Sequence, residues 1–286
     1  MSDPLYEPGV TDTTQAIVQT TARITPETTE EVRQIVLRVP ESSLYFLEGQ
    51  HVGVLVPGPH AFGNKAHHRY YTIANARDGD GGVDLELLVR RCFYIDVVSG
   101  EQYPGVASNF LCDARPGDPV TLTGPYRSPF RIPADNTCNL LLLGTGTGIA
   151  PFRAFLRHIY EKQKGWKGKV RLYYGARTGT ELLYMNDQND DLTQYYDQKT
   201  FQAIQAVHNP LLGDESEALK RGIEDNAKEI WKLIQDPKTH VYLAGLENNA
   251  TVFDGVMAGQ AGSEAKWQAV KDRLLAEKRW SELTYH

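Results

Sequence analysis

The 286-residue chain is short of cysteine: Cys92, Cys112 and Cys138 are its only three. Thiols so few and so scattered exclude a disulfide framework and a cysteine metal cluster, and they suit a reducing cytoplasm. No apolar run approaches the roughly 20 residues that span a bilayer. The opening MSDPLYEPGV has neither a basic nor an apolar region, so no secretory signal peptide is expected. Positive charge is not in excess either, with 30 Lys+Arg against 36 Asp+Glu. The deficit falls on residues 1–136, which hold 11 basic and 17 acidic residues, while the remainder holds 19 of each. No strongly basic face is implied, which argues against nucleic-acid binding. Repeats and low-complexity segments are missing as well.

What is present divides into two halves of different period, and a chain of this length normally exceeds one core. Up to residue 136, short alternating runs are separated by Pro/Gly/Asp clusters such as Pro57-Gly58-Pro59 and Pro116-Gly117-Asp118. The runs are Ala16–Ile24, Val32–Val39, Gly53–Val56, Tyr70–Ala74, Val83–Val89 and Pro119–Thr123. That pattern predicts an antiparallel barrel or sandwich. From residue 137 strands alternate with helices. Strands are expected at Leu140–Leu143, Val170–Tyr174, Phe201–Val207 and His240–Ala244. Helical stretches are expected at Pro151–Lys162, around Leu182–Tyr196, and at Ser216–Ile234, Thr251–Ala258 and Ala265–Lys278. Alternating βα units imply a doubly wound parallel sheet, a Rossmann-like domain whose ligand sits beyond the C-terminal strand ends. The expected domains are 1–136 and 137–286, with the linker at Ile132–Asn139.

Three segments carry chemistry. In Leu140–Arg153 an apolar strand runs into Gly144-Thr145-Gly146-Thr147-Gly148, and Pro151 opens a helix. Bare N–H groups and the positive end of the helix dipole then face an anion. The spacing is neither G-x-G-x-x-G nor a P-loop, so a ligand-free tight turn stays open. In Arg69-Tyr70-Tyr71-Thr72, a guanidinium beside rings and a hydroxyl can hold a phosphate and a planar ring, although Tyr and Thr are also ordinary strand formers. In Gly105-Val106-Ala107-Ser108, Ser108 is a plausible N-cap for a short helix that ends at Pro116-Gly117. That helix is either a second anion seat or a cover for one end of the barrel.

In chain order, Arg69–Thr72, then Val89–Arg91 with Tyr94, then Gly105–Asp113, then Gly144–Arg153, these motifs resemble the plant-type ferredoxin–NADP+ reductases. Tyr174–Arg177, Leu182–Tyr184 and Val241–Leu246 continue the likeness over nearly the whole chain. The resemblance implies a flavoenzyme that moves hydride between NAD(P)H and FAD and exchanges single electrons with ferredoxin or flavodoxin. An FAD-binding barrel would precede an NAD(P)-binding α/β domain. Arg69 would pair with the FAD pyrophosphate and Tyr71 would lie against the isoalloxazine, with Tyr70 beside it. Thr72 would stand near flavin N5, Tyr94 would stack near the adenine, and Arg90 would also bind the FAD. Gly105, Val106, Ala107 and Ser108 would cap the pyrophosphate. The nicotinamide nucleotide would take Gly144–Gly148, Pro151, Ala176, Arg177, Gly245 and Leu246. Tyr285, with Thr147 near it, would shield the flavin, followed only by His286.

The departures are equally specific. His208 and Asn209 replace the Ser-Arg that commonly holds the 2′-phosphate of NADPH, which leaves NADH open as coenzyme. Ala244 stands where members often have Cys. The acid near the terminus is displaced, so that Leu283 takes its place and Glu282 lies one residue earlier. Thr72, Tyr285 and Glu282 are the catalytic candidates, and no metal is expected. The rival readings are an NADH-dependent reductase component serving an oxygenase or another protein acceptor, and a non-enzymatic flavin- or nucleotide-binding subunit. The carrier, the physiological direction and the oligomeric state are not encoded in these motifs.

Overall fold

The structure, a computed structural model, describes residues 13–40, 49–60, 65–79, 81–96, 98–207 and 215–285. It forms two compact units that divide between Ser128 and Pro129.

The first unit contains β1 (Thr13–Arg23), β2 (Val32–Pro40), β3 (His51–Pro57), β4 (Ala66–Gly79) and β5 (Gly82–Arg90). A small hairpin of β6 (Phe93–Ile95) and β7 (Gln102–Pro104) follows, then α1 (Val106–Asp113) and β8 (Pro119–Tyr126). Six strands close into an antiparallel barrel in the order β1-β2-β5-β4-β3-β8. Period-2 alternation builds its interior. Ile35, Leu37 and Val39 of β2, Val52, Val54 and Val56 of β3, and Leu85, Leu87 and Val89 of β5 all turn inward. Helix α1 adds Ala107, Leu111 and Cys112 to the same core. It therefore does cover the barrel.

The second unit is a parallel sheet in the order β11-β10-β9-β12-β13. Its strands are β9 (Asn139–Thr145), β10 (Val170–Ala176), β11 (Phe201–Val207), β12 (Thr239–Leu246) and β13 (Trp280–Tyr285). Its helices are α2 (Ile149–Arg157), α3 (Glu215–Asp225), α4 (Ala227–Gln235), α5 (Asn248–Ala261) and α6 (Glu264–Ala276). Every residue of β9 is buried, as the centre of a sheet covered on both faces requires. Leu141, Leu143, Val241 and Leu243 pack with residues of α3 to α6. Tyr242, which alternates with the latter pair, meets Phe130 and Phe155 of the α2 side edge-to-face.

Three elements differ from the sequence expectations. The helix expected around Leu182–Tyr196 is a chain of turns with short 3-10 segments at Gly179–Glu181 and Asp191–Tyr195. Asn186 Oδ1 accepts from the N–H groups of Gln188 and Asn189, and Asn189 Oδ1 from that of Asp191. These side chains take the donors a helix would use. The stretch Ser216–Ile234 is two helices, broken at Asn226, whose amide reaches back to the Gly222 carbonyl at 2.9 Å. The last described residues, for which no strand was expected, form the edge strand β13, parallel to β12 with Leu246 opposite Tyr285.

Candidate functional site

On β4 the strand alternation separates the Arg69–Thr72 motif onto two faces. Tyr71 lies opposite Val52 and packs against the barrel core, and burial raises its phenol well above the ordinary value. Arg69 is exposed and meets no carboxylate among the described residues. Tyr70 and Thr72 occupy the other face. Tyr70 is 49% exposed and touches Tyr126 edge-to-face at 4.7 Å. Thr72 Oγ1 lies 3.0 Å from Nδ1 of His51, its register partner on β3. His51 was not singled out in the sequence, because a histidine in a short apolar strand has no motif around it.

The other candidates of the first unit gather around α1 and the β6–β7 hairpin. The helix starts at Val106 with Gly105 as N-cap and no side-chain cap. This corrects the expectation for Ser108, which sits inside the first turn. Its hydroxyl accepts from the Cys92 N–H at 3.2 Å and donates to the Gly105 carbonyl at 3.3 Å. The first-turn N–H groups consequently have no side chain competing for them. Arg90 pairs with Glu30 at 3.3 Å. Arg91 is the structural member of the two arginines, bonded to Glu31, Asn109 and Asp113. Tyr94 stacks on Tyr103 at 5.5 Å and is still 56% exposed.

In the second unit the glycine-rich turn is a 3-10 turn, Gly146–Gly148, leading into α2 with no side-chain cap. A Cβ on Gly148 would stand 2.5 Å from the Gly245 backbone nitrogen, and Gly245 itself has φ +110°. Both positions need glycine for this close approach of two backbones. Buried polar residues hold the turn, and Asn249 among them belongs to no motif. Asn249 donates to Thr145 Oγ1 at 2.9 Å and to the Ala244 carbonyl at 3.1 Å, and accepts from Ser216 at 3.0 Å. Tyr174 donates to the Gly146 carbonyl at 2.8 Å. Arg153, 2% exposed, pairs with Asp191 at 2.5 Å and lies over the Tyr184 ring.

Thr147 donates to the Tyr285 phenol at 3.0 Å, so the turn and the C-terminal aromatic meet. Glu282 is not brought to them. Its carboxylate accepts from Trp280 Nε1 at 2.6 Å and lies 3.2 Å from Lys271, on the opposite face of β13 from Tyr285. Arg177 is clasped by Glu181, at 2.7 and 3.3 Å. Ala176 ends β10, and Gly245 and Leu246 end β12, at the C-terminal edge of the sheet with the turn. Pro151 is buried in the first turn of α2. His208, Asn209 and His286 lie outside the described residues.

Comparison with known proteins matches residues 18–129 to the oxidoreductase FAD-binding domain and residues 142–253 to the oxidoreductase NAD-binding domain. Fold and matches together define an oxidoreductase that uses a flavin and a nicotinamide nucleotide. The cyanelle ferredoxin–NADP reductase of Cyanophora paradoxa is 35% identical over 86% of this chain and 69% of its own length. The enzyme of a Synechocystis strain is 32% identical over 89% of this chain and 63% of its own length. That of a Spirulina species is 32% identical over 90% of each. The chain belongs to the ferredoxin–NADP reductase family. Among solved structures, the ferredoxin–NADP+ reductase of Plasmodium falciparum superposes with a TM-score of 0.72 over 98% of both chains at 19% identity, a likeness of fold. Among the described residues no helix is long and apolar enough to cross a membrane.

Proposed function

We propose that this protein passes hydride between NAD(P)H and FAD and exchanges electrons one at a time with ferredoxin, with flavodoxin as an alternative carrier. The observation that carries the reading is the Thr147–Tyr285 hydrogen bond, which sets a displaceable aromatic ring at the coenzyme turn. A protein that merely stores a nucleotide has no use for such a ring.

The residues present fit the flavin. A dianionic pyrophosphate wants a guanidinium and open N–H donors. The barrel offers Arg69, exposed and without a carboxylate among the described residues, and the uncapped first turn of α1. Arg69 and the N–H groups of Val106, Ala107 and Ser108 would bind that group, Tyr94 would stack on the adenine, and Tyr71 would back the ring. Thr72 would present its hydroxyl to the flavin edge. FAD, when bound, accepts an electron pair as hydride and gives electrons up singly. The protein's own work is alignment and exclusion of water. The N–H groups of Gly146–Ile149 would seat the coenzyme pyrophosphate, and Tyr285 would yield its place to the nicotinamide. Glu282, held by Trp280 and Lys271, takes no part in this scheme.

The three free thiols, with Cys92 exposed, suit a reducing compartment, and we place the protein in the cytoplasm. A second reading, an NADH-linked reductase serving another protein acceptor, is favoured by the pairing of Arg177 with Glu181, which leaves that cation less able to attract a 2′-phosphate. Purification decides the first point: the protein should be yellow or take up FAD, and a colourless protein that cannot be reconstituted would sink the proposal. Turnover with ferredoxin, flavodoxin and an artificial acceptor then separates the two readings.

A further inference from the structure

We propose that His51 is a proton relay for Thr72, removing one proton from that hydroxyl when electrons leave the flavin singly and returning one when they arrive singly. The proposal rests on the reading that places Thr72 at the N5 edge of the flavin.

The geometry is local to the barrel. His51 and Thr72 are register partners on neighbouring antiparallel strands, and Nδ1 lies 3.0 Å from Oγ1. On its other side His51 is the register partner of Tyr126 of β8. These neighbours bring a hydroxyl and a phenol but no formal charge, and burial holds the imidazole below its ordinary 6.5. A ring neutral at physiological pH carries one N–H and one acceptor nitrogen. Its Nε2 bonds to no group among the described residues, and the residue is only half-buried. One nitrogen therefore faces Thr72 while the other can exchange with water.

Protons and electrons balance in a single pass. Hydride brings two electrons and one proton together. When the two electrons then go one by one to a one-electron carrier such as ferredoxin, one proton remains to be removed. Thr72 Oγ1 accepts it while handing its own to His51 Nδ1, and Nε2 releases one to water. Before the pass, Nδ1 is an acceptor, Thr72 donates to it, and the hydroxyl offers a lone pair to an N–H. Afterwards Nδ1–H donates to Thr72, whose hydroxyl points its proton at a bare nitrogen. The two tautomers thus match the two hydrogen-bonding states of the ring nitrogen. Reverse electron flow runs the same steps backward. Glu282, the acid nearest the chain terminus, is committed to Trp280 and Lys271 and offers no competing route.

The test uses FAD-loaded protein carrying 15N-histidine. NMR of His51 should show the Nδ1–H tautomer in the oxidised protein and the Nε2–H tautomer after reduction. One tautomer in both states overturns the relay. Thr72→Val should shift the flavin absorption band and hold His51 in a single tautomer. An absorption band identical to wild type in Thr72→Val would instead overturn the placement of Thr72. In stopped flow, His51→Leu should slow electron transfer to ferredoxin roughly a hundredfold, the low end for a positioned proton-transfer group. The solvent isotope effect on that step should disappear, and reduction by NADPH should slow far less. Equal slowing of both half-reactions, or of neither, overturns the proposal. His51→Gln keeps much of the bulk and a hydrogen-bonding end but cannot relay a proton, so it carries the same test if the leucine variant does not fold.

Discussion

The hydroxyl of Thr147 donates to the phenol of Tyr285 at 3.0 Å, which joins the middle of the glycine-rich turn to the last described residue of the chain. The strand beneath them fixes the approach, because β13 runs parallel to β12 and the Glu247 N–H donates to the Tyr285 carbonyl at 3.2 Å. The backbone of Tyr285 is therefore anchored, and only its ring has to move.

That separation of ring from backbone predicts graded gains in coenzyme affinity for two substitutions. Tyr285→Phe keeps the ring and removes one hydrogen bond, worth roughly 0.5–1.5 kcal/mol net. Displacing the ring becomes easier by that amount, so affinity for the oxidised coenzyme should rise about 2- to 10-fold. Tyr285→Ser removes the obstacle itself and should raise affinity further. Difference-spectrum titrations measure both. Unchanged binding in the two variants would mean that the ring does not stand in the nicotinamide's place.

Asn249 should be the most sensitive polar residue of the second unit. It is fully buried, and its amide bridges Thr145, Ala244 and Ser216. Asn249→Ala leaves these buried groups short of partners, at a cost of about 2–3 kcal/mol. Urea denaturation should register that loss, and coenzyme affinity should fall with it, since the bridge holds the turn. A variant as stable as wild type that binds coenzyme normally would show that water replaces the amide.

How much of this was legible in the sequence follows from what a motif can encode. The barrel strands and the parallel sheet were readable because period-2 alternation and the Leu140–Leu143 run reflect burial directly. The glycines of the turn were readable because close backbone approach permits little else at Gly148. Asn249 and His51 were not, because each acts through a contact fixed only by tertiary register, and the Tyr174 motif did not tell of its bond to the Gly146 carbonyl. The turns at 182–196 were missed for a related reason: apolar spacing suggested a helix while Asn186 and Asn189 were bonding their own backbone. Glu282 illustrates the reverse. Its position in the sequence suggested a role beside Tyr285, but strand alternation puts the two on opposite faces.

The barrel should lose stability in mild acid through Glu31. Burial pushes its carboxyl up, but hydrogen bonds from Arg91 and Arg33 outweigh that and hold it below the ordinary 4.5. The two guanidiniums lie 2.7 and 2.5 Å away. A carboxyl depressed on folding stabilises the native state above its unfolded pKa and loses that contribution as pH falls through the depressed value. At neutral pH Glu31→Gln should cost about 1 kcal/mol, the scale for a half-buried pair. Denaturant titrations should find this gap closing as the pH falls below the ordinary 4.5 and the wild-type carboxyl takes up its proton. A gap independent of pH would show that the variant disturbs packing rather than charge.

Coenzyme choice should turn on Arg177 if the proposed site holds. Its guanidinium is bonded twice to Glu181, whose side chain is only 10% exposed, and Lys220 lies 3.8 Å from Glu217. A 2′-phosphate competing for Arg177 has to displace a carboxylate already in place, whereas the 2′-hydroxyl of NADH makes no such demand. The wild-type protein should therefore discriminate between the coenzymes by less than ~100-fold in kcat/KM, a ratio worth about 2.7 kcal/mol. Glu181→Gln removes the competing charge and should shift kcat/KM toward NADPH by roughly 3- to 10-fold, mainly through KM, because the contact forms with bound coenzyme before any chemistry. An unchanged ratio in Glu181→Gln would place Arg177 away from the coenzyme. A wild-type preference for NADPH above ~100-fold would show that other cations hold the phosphate and that the Arg177–Glu181 pair serves only to brace the turn after β10.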